Sequence, residues 1–540
     1  MVKRMADASS VSPGKKQRVL QDDSQAAMPN SVHLTPSEEN LFALLLNVAA
    51  QDAADGAVLR VAGGWVRDKL LGRDSDDVDI VLDKMTGRAF ADLVNAYETA
   101  QGREARAVGV IKANPEQSKH LETATMQIGE KKGWVDFVNL RAETYASEDN
   151  RIPQVEIGTP QQDAERRDFT INSLFYNLAT RQVEDFTGRG IDDLRAGRLR
   201  TPLEPRVTFL DDPLRVLRAV RFASRFNFTL EEDLKAAAQL EGVRAALVRK
   251  VSRERVGKEL GGMLTGSAAH PQRALGLLHE LKLCESVFLP SALLSAQKMP
   301  ICRPDGELVE VETNVWGRCY DHASEMYQHL VRSSTSGELD VDTLSAEQKH
   351  ELQVRILAAF LLPFRGLCVR DKRRRSVAVF VIQDVLKLPN RDAKDVANVG
   401  LDHVAELQAA TVSEFDRVSV GLILRSIGAQ WELCRDVALV QELVACGTHD
   451  TSGDARAAML KRYDCFNAQV QGAGLLGVWT LKPLLNGNDL VKQLGVKPGP
   501  HMKEVLDRVL AWQLSHPEKT RDECLEHFKS VTAAEVDASE

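Results

Sequence analysis

No cysteine precedes Cys284 in this 540-residue chain, and the eight that occur include no CxxC pair and no zinc-like spacing with histidine. Neither a disulfide framework nor a zinc ribbon is therefore expected to organise the fold, and buried or free thiols in a reducing compartment are. Long apolar runs are missing too. The densest, LAAFLLPF from Leu357, spans eight residues and is interrupted by Pro363, whereas a helix needs roughly 20 to cross a bilayer. No membrane span is expected. Positive charge is not in excess: 69 Lys and Arg against 77 Asp and Glu leave a formal net charge of −8. That argues against wholesale coating by nucleic acid, but screening limits the reach of distant charge to about 10 Å, so a local basic groove can still bind RNA.

What is present is the composition of an ordinary globular protein, 44% hydrophobic and 27% charged, with only 5% aromatic. The length suggests about three or four domains in series. Residues 1–35 mix Ser, Pro, Ala and charge without periodicity and read as a disordered tail. The tail holds KKQR and further methionines at Met5 and Met28, while Asp7, Asp22 and Asp23 are out of place in a mitochondrial presequence. Alternative starts would give alternative addresses, so the expected location is intracellular: cytoplasm, nucleus, mitochondrion or a combination. From Val58 to about Asp185 short strands alternate with helices, and beyond Leu210 almost every segment has helical period, as in PLRVLRAVRFASRF and RALGLLHELKL. The fold class is α+β: a head with a small mixed sheet, then a long all-α remainder. RSSTSGELDVDTLSAEQK, residues 332–349, reads as a surface loop.

Six aspartates crowd into GGWVRDKLLGRDSDDVDIVLD, residues 63–83. In the strand DVDIVL, alternation sends Asp77 and Asp79 to one face and Val78, Ile80 and Leu82 to the other. Two such carboxylates repel unless a cation lies between them, and hard oxygen ligands suit Mg²⁺. WVDFVNL offers Asp136 on a second strand, and three carboxylates on neighbouring strands suit a phosphoryl displacement assisted by two metal ions. Gly63 and Gly64, between a strand and a short helix, let backbone amides approach an anion, and Arg67, one turn into that helix, could reach a phosphate. Asp74, Asp76 and Asp83 read as solvated or turn-forming.

Arginine dominates the next two segments. DAERRDFTINSLFYNL places Arg166, Arg167 and Asp168 ahead of an expected helix carrying Phe169, Leu174 and Phe175. In FLDDPLRVLRAVRFASRF, Asp212 and Pro213 form a helix start. Arg215, Arg218, Arg221 and Arg225 then fall on one face with no acid among them, a stripe that implies an anionic partner. In VSRERVGKELGGML, Arg253, Glu254 and Arg255 open a helix, where ion pairing is the expected role. RDKRRR, residues 370–375, is open to two interpretations, a solvated loop or an RNA contact. His449-Asp450 lacks the further ligands of a metal-dependent phosphohydrolase.

GGWVRDKLLGRDSDDVDIVLD resembles the nucleotidyltransferase signature of the polymerase-β superfamily, in the form used by class II tRNA nucleotidyltransferases, the CCA-adding enzymes. RRDFTIN is similar to the second signature of the same family, and GVKPGP before a helix resembles the tail of its eukaryotic members, with His501 where an aromatic is expected. The resemblance covers about residues 40–530. It implies that Asp77 and Asp79 are metal ligands for Mg²⁺, that Asp136 is the third catalytic carboxylate, and that Gly63, Gly64 and Arg67 contact the incoming nucleotide. It makes Arg167 a triphosphate or sugar contact, Asp212 and Arg215 an amino-acid template, and Arg218 and Arg221 triphosphate ligands. An Asp acceptor and an Arg donor suit the Watson–Crick edges of cytosine and adenine alike, whereas uracil and guanine would leave buried groups unpaired at about 1–3 kcal/mol each.

The implied organisation is a catalytic head at 36–185, a neck of nucleotide-selecting helices at 186–265 whose first segment is a hinge candidate, a helical body at 266–400 and a helical, tRNA-binding tail at 401–540. The implied activity is untemplated addition of C, C and A to the 3′ end of tRNA from CTP and ATP, with pyrophosphate released. Two alternatives stay open: a poly(A) polymerase on the same scaffold, and a catalytically silent RNA-binding module. A split of the addition, CC by one enzyme and A by another, stays open as well.

Overall fold

The computed structural model describes residues 32–540 apart from 76, 112–122, 129–132, 145–153, 297–298, 313, 335, 448–452, 500 and 538–540. Most of the proposed N-terminal tail, Asp76 and the His449-Asp450 pair lie outside the described residues. The chain divides into two compact units. Met1–Ala142, Glu156–Ala164 and Ile171–Arg195 belong to one, and Glu143–Val155, Glu165–Thr170 and Ala196–Glu540 to the other.

The first unit is built on a seven-stranded sheet: β1 (Arg60–Ala62), β2 (Val78–Leu82), β3 (Val108–Ile111), β4 (Thr123–Ile128), β5 (Gly133–Asn139), β6 (Leu174–Asn177) and β7 (Gln182–Asp185). Their order is β3-β4-β5-β2-β1-β6-β7. Only β2 and β5 pair in parallel; the other neighbours are antiparallel, so the sheet is mixed. In β2 Val78, Ile80 and Leu82 are buried on one face and Asp79 is half-buried on the other, where Val81 is buried as well. In β5 Val135 and Phe137 are buried while Asp136 is half-buried.

Helices that pack with this sheet include α1 (Pro36–Ala49), α2 (Gly64–Leu70) and α3 (Gly87–Ala100). Phe90 of α3 meets Phe137 of β5 at 5.4 Å between ring centroids. The approach is so close that a Cβ on Gly87 would lie 2.2 Å from the Phe137 carbonyl oxygen, so that position admits glycine alone. Glu38 serves two helices at once: it completes the capping box of α1 and accepts from the Trp65 indole of α2 at 2.9 Å.

LFYN, expected as helix, is the strand β6, and all four of its residues are buried. It pairs with β1 on one side and β7 on the other. A short, continuously apolar run inside a sheet has no alternation by which to distinguish it from a buried helix.

The second unit is helical, with only two-residue strands from Ala196 onwards. Its elements include α4 (Pro205–Asp211), α5 (Leu214–Phe226), α6 (Arg253–Thr265), α7 (Val315–Ser333), α8 (Ala346–Leu361) and α9 (Trp431–Gly447). The expected loop at 332–349 is shorter than its composition suggests, because Ser345 and Gln348 form a capping box that starts α8 at Ala346. VAVFVIQDVLKL becomes a single α-turn, Val377–Phe380, followed by a π-helical segment, Val381–Val385.

Candidate active site

In the first unit the sheet register brings the carboxylates together. Asp79 and Asp136 are direct partners across the parallel β2–β5 pair, and Thr125 is the partner of Asp136 across β4–β5. The Thr125 hydroxyl donates to Asp136 Oδ1 at 2.6 Å, which fixes the carboxylate on its strand. Asp77 stands immediately before β2 and is exposed. Further along the same face the sheet closes over Ala62, Val81, Leu140, Ala164 and Phe175, so the carboxylates occupy its open end. A set of part-exposed carboxylate oxygens on adjoining strands is a donor set that fits a hard divalent cation. Among the described residues, no three His, Cys, Asp or Glu side chains already stand as a ligand cluster.

Gly63 closes β1 at φ +72°, a conformation that side chains rarely adopt, and its N–H donates to the Leu174 carbonyl of β6 at 2.9 Å. Gly64 opens α2. Arg67 is bonded within the unit. Its side chain is buried, and its Nε and Nη2 donate to both carboxylate oxygens of Asp68 at 2.8 and 2.9 Å, while Nη1 donates to Asn172. An arginine so engaged ties α2 to the 3₁₀ turn that holds Asn172. Of the acids read as solvated or turn-forming, Asp74 pairs with the buried Lys69 at 2.9 Å and Asp83 accepts from the Val58 N–H at 3.1 Å.

In the second unit the two arginine-rich segments meet. Arg215 Nη2 donates to the Arg166 carbonyl at 2.6 Å, and Arg218 Nε donates to Asp168 at 2.7 Å, 50 residues away. Phe169 packs edge-on against Phe222 of α5 at 5.7 Å. Arg221 pairs with Glu259 of α6 at 2.7 Å. Acids for Arg218 and Arg221 thus arrive from elsewhere, while Arg215 is held by backbone carbonyls. The adjacent Asp168 carboxylate holds the Arg218 guanidinium above its ordinary pKa. Arg167 is half-buried.

Asp212 is extended, at φ −130° and ψ 97°, and ends α4; the helix start is shifted by one residue from the expectation, with Pro213 rather than Asp212 in the cap position of α5, although Asp212 Oδ1 still accepts from the Leu214 N–H at 3.2 Å. Its other oxygen accepts from Arg255 of α6 at 3.2 Å. Arg215 lies one turn on, and both side chains of the suggested template are part-exposed. Arg253 departs from the ion-pairing role. It reaches the carbonyls of Val385, Ser286 and Val287, and burial pushes its pKa down to about 10. Sequence reasoning missed Thr125, which carries no signal, and Glu259. The latter was visible as the residue one turn beyond Arg255 on the same helix face.

A description of the family, Poly A polymerase head domain, matches residues 59–200. The CCA tRNA nucleotidyltransferase, mitochondrial, of Candida glabrata is 34% identical, over 93% of this chain and 96% of that protein. The tRNA nucleotidyltransferase cca2 of Schizosaccharomyces pombe is also 34% identical, over 88% of this chain and 92% of that one. Among solved structures, a CCA-adding enzyme in apo form II superposes with a TM-score of 0.59 at 21% identity, covering 92% of this chain and 96% of that one. The Thermotoga maritima CCA-adding enzyme complexed with tRNA gives 0.55 at 19%, again over 92% and 96%. These two establish the fold, and the near full-length relatives establish more: the chain belongs to the CCA tRNA nucleotidyltransferase family and is a nucleotidyltransferase.

Proposed function

We propose that the protein adds C, C and A in turn to the 3′ end of tRNA, using CTP and ATP and no nucleic-acid template. The observation that carries the chemistry is the parallel register of Asp79 with Asp136 at the open end of the sheet. Nucleotidyltransferases of this kind use divalent metal ions, and we take the ion to be Mg²⁺. Asp77 and Asp79 would hold it, with Asp136 beside them. Bound there, it would lower the pKa of the tRNA 3′-hydroxyl and neutralise charge on the α-phosphate. The hydroxyl oxygen attacks the α-phosphorus, a new P–O bond forms, and pyrophosphate leaves with the electrons of the broken one. Thr125 keeps the Asp136 carboxylate turned as the strand presents it. Gly63 and Gly64 keep the turn after β1 free of side chains, and Arg67, which also fixes α2 through Asp68 and Asn172, is with them the proposed contact for the incoming nucleotide.

Base choice is assigned to Asp212 and Arg215. A carboxylate offers about four lone-pair sites, and two of those on Asp212 are taken by Leu214 and Arg255. Arg215 spends two donors on carbonyls, one of them at 3.5 Å. Both therefore retain capacity for a Watson–Crick edge. Arg167, Arg218 and Arg221 remain the proposed triphosphate ligands, the last two by exchanging an internal carboxylate for a phosphate. The head at 36–185, neck at 186–265, body at 266–400 and tRNA-binding tail at 401–540 are retained as the working division. The Candida and Saccharomyces cerevisiae relatives are both named as mitochondrial proteins, which supports a mitochondrial destination here; nuclear and cytoplasmic forms would come from later starts. Among the described residues no helix is long and apolar enough to cross a membrane.

The test is incorporation of each labelled nucleotide, alone and together, into tRNA lacking its 3′ CCA. Two C from CTP alone and a completed CCA with both nucleotides are expected. A tail of A from ATP alone would make the protein a poly(A) polymerase, C addition that never proceeds to A would assign it half the reaction, and no incorporation would leave an RNA-binding module.

A further inference from the structure

Arg218 and Arg221 of the α5 stripe are answered by internal acids, whereas a second group of cations faces water. Cys368–Val369 pairs antiparallel with Ile301–Cys302, and the chain leaving this ribbon reads Arg370, Asp371, Lys372, Arg373, Arg374, Arg375. Arg370, Lys372, Arg373 and Arg374 are exposed. Among the described residues, Arg370, Lys372 and Arg373 make no ion pair and no side-chain hydrogen bond.

The backbone beneath them is braced. The Asp371 carboxylate accepts from the N–H of Arg373 at 2.9 Å, the N–H of Arg375 at 3.3 Å and the Nε of Arg375 at 2.6 Å. Arg375 also pairs with Asp384, and Arg374 donates to the Pro304 carbonyl at 3.2 Å. The neighbouring loop adds acids, but Glu307 is paired with Arg303 at 2.7 Å and Asp305 accepts from the Glu307 N–H. One acid and one arginine are thus spent on holding a turn whose other cations face water. A solvated face needs no such brace, and a turn fixed before binding loses less entropy when it binds.

We propose that Arg370, Lys372 and Arg373 form a preorganised, sequence-independent contact for the phosphate backbone of the tRNA. No aromatic is interleaved for stacking bases, so the chemistry recognised is phosphate rather than nucleobase. The assignment rests on the proposed tRNA substrate, but its failure is separable from the failure of that function.

The test is the triple variant R370Q/K372Q/R373Q of the full chain, which leaves Asp371, Arg374 and Arg375 in place. The tRNA Kd is measured against salt, alongside steady-state CTP incorporation. Removing three phosphate contacts should lower the slope of log Kd against log salt by about two to three and weaken binding at least about tenfold near 0.1 M salt. KM for tRNA should rise with it, while kcat at saturating tRNA stays within about twofold. A variant with unchanged Kd and slope but normal incorporation would overturn the contact and leave the enzyme assignment standing. Unchanged tRNA binding with lost sedimentation on phosphatidylcholine–phosphatidylserine vesicles would give the turn to a membrane surface and overturn it equally. If the Asp371 brace matters, Asp371→Asn should weaken tRNA binding with all three cations retained; no change would refute that part.

Discussion

Asp79 and Asp212 are both part-exposed acids, yet they are predicted to fail in different ways. Asp79→Asn keeps the volume and the strand but removes a charge that a divalent cation needs. Incorporation of both CTP and ATP should fall by roughly 10²–10³-fold or more, with the thermal midpoint unchanged or slightly raised because the Asp136 charge loses a repelling neighbour. Asp212→Asn should instead alter choice: measured as the ratio of kcat/KM for CTP against UTP, discrimination should shrink while CTP is still incorporated. Loss of both nucleotides in each variant, without loss of fold, would refute the division of labour. Asp79 was legible because alternation in DVDIVL fixes its face. Asp136 was legible as a carboxylate on a second strand, but its direct pairing with Asp79 was not, since it depends on a register that no local pattern encodes. Arg67 and Arg218 show the complementary limit. Spacing placed them on a helix face correctly, but the acid or amide that meets each arrives from Asn172 and Asp168, more than a turn of any element away.

Close packing between elements makes its own prediction, because two glycines of α6 differ only in what surrounds them. A Cβ on Gly257 would sit 1.9 Å from the carbonyl oxygen of Leu386, at the end of the π-helical segment, whereas nothing lies within 4 Å of one on Gly261. Gly261→Ala should stabilise the protein by about 0.5–1 kcal/mol, the helix propensity of alanine over glycine. Gly257→Ala must push two backbones apart and should destabilise by about 2–4 kcal/mol, the range for overpacking with backbone movement. Urea unfolding of both variants tests this, and equal shifts would mean that α6 does not rest on that segment. Helix periods made α5, α6 and α8 readable in outline. The same signal misassigned β6, where all four residues are buried, and could not show the π-helical Val381–Val385, whose one-residue excess per turn leaves the apolar count unchanged.

Across the helical unit, charge binds helices that the sequence keeps far apart. Asp436 of α9 is buried, and it accepts from Arg355 of α8 at 3.0 Å, lies 3.5 Å from His329 of α7 and is flanked by Arg435. Burial pushes the Asp436 carboxyl up, but the hydrogen bond to His329 and the charges of Arg435 and Arg355 outweigh it and hold the group well below the usual carboxylate range. A carboxylate depressed on folding contributes stability above its ordinary pKa of 3.8, and loses that contribution as the pH falls from there towards the lowered folded value. Asp436→Asn removes the buried counter-charge of two half-buried guanidiniums and should cost about 3–5 kcal/mol at pH 7. Because asparagine does not titrate, the gap between wild type and variant should hold from pH 7 to about pH 4 and narrow below it. Urea melts at pH 7, 5 and 3 measure this directly. A gap that is the same at all three would show that Asp436 matters by shape and not by charge. Nothing in RDVALV announces such a tie, because the arginine that completes it stands 81 residues upstream. The net charge of −8 conceals it as well, since it counts Asp436 with the acids that face water.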